Sequence, residues 1–118
     1  MTNEQISFDA VEDAICEAEW NAARQRLADV PLPVGAVDSF PDHSWDTWDD
    51  GIWRRLITWK TWGSLPGPYR VEVQGDQTEN GEYTIHISVE ASDCLTSSQA
   101  RELADCVSAA VALMESIR

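Results

Sequence analysis

Cations are scarce in this sequence: eight Lys and Arg stand against 21 Asp and Glu, a formal net charge of -13 over 118 residues. Proteins that grip nucleic acid or an anionic membrane do so with Lys and Arg that displace counterions from phosphates. This balance excludes direct nucleic-acid binding and a membrane partner as expectations, and it favours a basic protein surface. Long apolar runs are missing as well; none approaches the roughly 18 residues of a spanning helix, and Met1 to Ser7 carries no basic stretch followed by an apolar one. A cytoplasmic location is expected. Cysteine is limited to Cys16, Cys94 and Cys106, an odd number with no CxxC pair, which fits a reducing compartment and offers no zinc spacing. Cys16 and Cys106 fall in helical patterns and read as small buried hydrophobes.

Chemistry-bearing motifs are also lacking. There is no GxSxG elbow, no HExxH and no glycine-rich phosphate loop, and the two histidines, His43 and His86, are a small supply for acid-base work. An EF-hand started at Asp46 puts Trp48 in the third position, and one started at Asp42 puts Thr47 where glycine is required. The reading is therefore a non-catalytic protein with no catalytic residues, no metal site and no cofactor.

What remains suffices for a core: 43% of residues are apolar, and 118 residues is an ordinary size for one domain, expected to span 1–118 with 1–6 outside the folded part. Ser7 is placed to cap a helix running to about Asp29, with Phe8, Val11, Ile15, Ala18 and Ala22 on one stripe and Cys16, Trp20, Ala23 and Leu27 on another. The Trp20 side needs a cover, either the following loop or a second copy. Pro31 and Pro33 end this helix and open a long connection. Ile52 to Trp62, rich in β-branched and aromatic residues, reads as a strand with Trp53, Arg55, Ile57 and Trp59 on one face and Ile52, Arg54, Leu56, Thr58, Lys60 and Trp62 on the other. Tyr69 to Gln74 and Tyr83 to Ala91 alternate and form a hairpin across the turn residues Gly75 to Gly81, leaving His86 on the outer face with Thr84 and Ser88. Thr96 and Gln99 form a capping box that opens a helix to about Ile117. The order α, β, β, β, α predicts an α+β fold: a three-stranded antiparallel sheet with both helices mainly on one face.

Two concentrations stand out. Asp38, Asp42, Asp46, Asp49 and Asp50 occupy a stretch with no basic residue, and five of the six tryptophans, Trp45, Trp48, Trp53, Trp59 and Trp62, fall within eighteen residues. Tryptophan supplies core area but also dominates binding hot spots. The expected partner-binding residues are Asp38, Asp42, Asp46, Asp49, Asp50, Trp45 and Trp48, steering the chain toward a basic protein. The alternative is a small-ligand module in which exposed tryptophans stack on a sugar or nucleotide. A homodimer is expected to use either the Trp20 side or the open sheet face.

The helix, three strands, helix order resembles the double-stranded RNA-binding domain in outline. The place where that family presents lysines is held here by Thr96, Ser97, Ser98 and Gln99, so RNA binding does not carry over. The final segment, EYTIHISVEASDCLTSSQARELADCVSAAVALM, resembles the ending of small uncharacterised proteins of actinobacteria and their phages, in which a strand leads into a helix opened as here by Leu95, Thr96, Gln99 and Ala100. That resemblance implies no activity. By analogy of build, the function class is that of phage-type inhibitors, nucleic-acid mimics and immunity-like proteins.

Overall fold

The structure is a computed structural model and describes residues 8–117. Ser7 and the stretch 1–6 lie outside the described residues. The chain divides into two compact units that meet in sequence at Val30 and Pro31.

The first unit holds helix α1, Phe8–Leu27. Val11 and Ile15 are exposed, as are Ala18 and Ala22, so these four positions of the first stripe are not buried. Among the described side chains of this helix, burial is confined to Ala23 and Leu27 in the last two turns, with Trp20 half-buried beneath the Arg24 guanidinium, 5.0 Å from its ring centre. Cys16 precedes that buried end and is exposed, against the expectation of a buried thiol.

The second unit is an antiparallel sheet with one helix. The expected strand appears as β3, Trp53–Gly63, and the hairpin as β4, Tyr69–Thr78, with β5, His86–Ala91. Two short strands in the connection, β1 (Val37–Asp38) and β2 (Asp46–Thr47), both pair with β3, so the sheet has five strands where three were expected, with the path β1, β3, β4, β5. Two-residue strands leave no period to read. Their pairing is set by turns: Ala36 N–H bonds the Pro33 carbonyl across Gly35 at φ +81°, and Ser39 N–H bonds the Leu56 carbonyl.

Register shows which faces these strands present. Val71, Val73, Gly75 and Gln77 of β4 are buried, and they lie opposite Trp62, Lys60, Ile57 and Arg55 of β3. Directly paired residues share a face, so Ile57 and Trp62 lie on the same side although their spacing is odd. A β-bulge between Thr58 and Lys60 leaves Trp59 without a cross-strand partner and shifts the alternation by one. The two-face assignment expected from simple alternation therefore holds only as far as Thr58.

Helix α2, Ser97–Ile117, starts on the expected capping box: Thr96 N–H donates to Gln99 Oε1 at 2.9 Å, and Gln99 N–H donates to Thr96 Oγ1 at 3.1 Å. Leu103, Cys106, Val107, Ala110, Leu113, Met114 and Ile117 pack on Val71 and Val73, together with Ile85, Ile87, Tyr69, Trp59 and Trp62. Helical spacing in the sequence places Ala100, Leu103, Ala104, Val107, Ala110, Val111, Met114 and Ile117 on one face; Ala100 and Ala104 are exposed, so the buried stripe is rotated slightly from that face toward Cys106 and Leu113. The helix contacts β4 and β5.

Candidate functional site

The opposite sheet face is polar: Arg54, Leu56, Arg70, Glu72, Gln74, Asp76, His86 and Glu90 alternate with the buried set. His86 is exposed there, as expected, with its Nε2 3.2 Å from Gln74 Nε2. At the β3 edge of this face, the connection 39–50 folds over to form a pocket of about 250 Å³ lined by Phe40, His43, Ser44, Asp46, Trp48, Arg54, Arg55, Leu56 and Asp76.

Local chemistry explains the shape of that connection. Asp38 Oδ1 accepts from Phe40 N–H at 2.9 Å, a 3-10 turn covers Pro41–His43, and Trp48 to Gly51 closes a turn with Gly51 at φ +75°. Asp50 then accepts from Ile52 N–H at 3.0 Å and receives both terminal nitrogens of Arg54, at 3.0 and 2.7 Å. The fork-to-carboxylate geometry sets Arg54 5.0 Å from the centre of the Trp48 ring.

These bonds dispose of the seven expected partner-binding residues unequally. Trp45 is only 3% exposed and lies under the Arg55 guanidinium, 4.6 Å from its ring centre, so it belongs to the core of the loop and not to its surface. Asp38 is turned inward, with Oδ2 3.9 Å from Arg55. Asp50 is exposed but engaged by Arg54. Asp42, Asp46, Asp49 and Trp48 are exposed, and of these only Asp46 and Trp48 line the pocket. Among the described residues no three His, Cys, Asp or Glu side chains gather to hold a metal ion.

Asp76, Phe40 and Leu56 join the site without a signal in the acidic stretch. Asp76 falls in a segment that reads as a turn because it follows Gly75, yet the alternation from Val71 continues through Gln77 and places Asp76 on the outer face beside Leu56, its pairing partner. Following the period past the glycine is the signal that finds it. Phe40 and Trp48 are 57% and 61% exposed, which is high for aromatic side chains.

The two hydrogen bonds from Arg54, followed by that from Ile52 N–H, lower the Asp50 pKa from 3.8 to about 2, and the same pair raises Arg54. A carboxyl depressed in the folded state stabilises above its unfolded pKa, and the contribution is lost as pH falls through the folded value. The Asp50–Arg54 contribution is thus present above about pH 4 and lost toward pH 2. A carboxyl-carbon NMR titration is expected to give Asp50 a midpoint near 2, moving up toward 3.8 in Arg54→Ala, where the Ile52 N–H bond remains. An unchanged midpoint in the variant contradicts the pairing.

No protein-family model, curated protein or solved structure matches this chain. Among the described residues no helix is long and apolar enough to cross a membrane.

Proposed function

We propose that this chain is a non-catalytic protein-binding module of the inhibitor, nucleic-acid-mimic or immunity-like kind, which docks a basic protein surface on the face around Trp48. The observation that carries this reading is the exposure of Phe40, Trp48 and Leu56 at one pocket whose rim carries Asp46 and Asp76, with Asp42 and Asp49 exposed in the same loop. Aromatic anchors beside carboxylates suit a hot spot with electrostatic steering, and the two cations in the lining, Arg54 and Arg55, are engaged by Asp50 and Asp38. The net charge of -13 supplies the long-range field. Basic side chains of a partner can meet Asp46 and Asp76 while its apolar groups cover Phe40 and Leu56.

A small-ligand reading draws on the same exposed Trp48 ring. The pocket, at about 250 Å³, is below the roughly 300–1,000 Å³ of most small-molecule sites, which favours the protein partner.

The test uses a partner captured on the immobilised chain and then purified. Trp48→Ala is expected to weaken the complex about 30-fold, equivalent to roughly 2 kcal/mol at a hot spot. Glu102→Gln, on the exposed side of α2, is expected to leave affinity unchanged. Equal affinity of wild type and Trp48→Ala overturns the assignment of this face.

A further inference from the structure

The sheet ends at β5, and that edge lacks several of the features that usually prevent strand addition. It has no proline, no lysine and no bulge in its pairing with β4, whereas the far edge of β3 is covered by β1 and β2. The register also reveals which backbone groups point outward. Ser92 N–H donates to the Pro68 carbonyl and Thr84 N–H to the Asp76 carbonyl, so the hydrogen-bonded pairs between these points are Arg70 with Glu90, Glu72 with Ser88 and Gln74 with His86. The N–H and C=O groups of Ile87, Val89 and Ala91 therefore face away from β4.

We infer that β5 pairs with β5 of a second copy, antiparallel about a two-fold axis at Ser88, to make one continuous sheet. The choice of a second copy follows from the sequence of the strand. An axis at Ser88 sets Ile87 opposite the partner copy's Val89 in a hydrogen-bonded pair, for about four backbone bonds across the junction, as the outward groups require. The same axis sets His86 opposite Glu90 twice, on the face away from α2; Glu90 Oε1 accepts from Arg70 of its own copy at 3.0 Å, and its second oxygen is the acceptor offered to the imidazole N–H across the junction. On the α2 side it covers Val89, which is 48% exposed in the single copy. Charge, apolar contact and backbone register agree on this one alignment. Centring on Val89 or Ile87 instead sets His86 or Glu90 opposite residues that do not complement them. The junction lies apart from the Trp48 pocket and is independent of the reading given for it.

The test is sedimentation equilibrium of the full chain over a concentration series. Wild type is expected to dimerise reversibly. Val89→Pro removes an outward N–H without touching the β4 pairing, so it is expected to weaken the dimer at least tenfold with an unchanged far-UV spectrum. His86→Glu, which places two glutamates opposite one another, is expected to weaken it comparably, and His86→Glu with Glu90→Lys is expected to restore it. The charge reversal and its rescue discriminate even if the proline variant fails to fold. A chain that stays monomeric up to about 1 mM, or a dimer indifferent to both the proline and the charge reversal, overturns the inference.

Discussion

Replacing Arg55 by alanine is expected to destabilise the protein by about 3–5 kcal/mol, the usual cost of removing one member of a buried charged cluster. At about 4 °C per kcal/mol this lowers the melting temperature by roughly 12–20 °C, which calorimetry would show directly. Arg55 is 8% exposed, donates from Nε to Gln77 Oε1 at 2.7 Å, stacks on Trp45 and lies 3.9 Å from Asp38. Burial lowers its pKa while Asp38 raises it, and the guanidinium stays charged among partners that include Gln77, Trp45 and Asp38. Gln77 in turn donates to the carbonyls of Pro31 and Gly81 at 2.8 and 3.3 Å. Arg55 and Gln77 together thus link Pro31, the turn at Gly81, Asp38 and Trp45. Arg55→Lys is expected to rescue little of the loss, because an ammonium supplies neither the Nε donor nor the planar stacking group. A loss below about 1 kcal/mol would contradict this account of the cluster.

Gly75→Ala is expected to cost about 3 kcal/mol or more, at or beyond the upper end of ordinary overpacking. A Cβ at this position would stand 1.8 Å from the Thr84 carbonyl oxygen and 2.8 Å from its carbon, both backbone atoms that cannot turn aside. Relief requires β4 and the Thr84–Ile85 segment to separate, which breaks the Thr84 N–H to Asp76 carbonyl bond and moves Asp76 away from the pocket. Urea denaturation reads the stability, and hydrogen exchange at Thr84 locates the opening. If the alanine variant were as stable as wild type, the close backbone approach would be wrong.

The contrast between these two residues shows where local sequence is enough and where it is not. The capping box at Thr96, the alternation through Val71 and Val73 and the tryptophan-rich strand are local signals, and each has its element in the fold. Gly75 reads locally as the start of a turn because glycine breaks strands on average; in the fold it marks a close approach between two backbones, a relation set by its distant neighbour Thr84. The bulge at Trp59 is similarly non-local, since only pairing with β4 reveals that one residue has no cross-strand partner. Strands β1 and β2 are too short to carry a period. At the site, the acidic stretch and Trp48 are legible from composition, but the cations that engage Asp38 and Asp50 come from β3, beyond the stretch itself. The same cation that draws Asp38 inward keeps Trp45 in the core, leaving Asp42, Asp46, Asp49 and Trp48 to the surface with Asp76 beside them.

The rate of association with the cognate partner, followed from about 20 to 500 mM salt, tests the docking face most directly. A fall of at least tenfold is expected for the wild-type chain, together with a much shallower slope when Asp42, Asp46, Asp49 and Asp76 are all changed to Asn. Identical slopes for the two proteins, or a rate indifferent to salt, would contradict it.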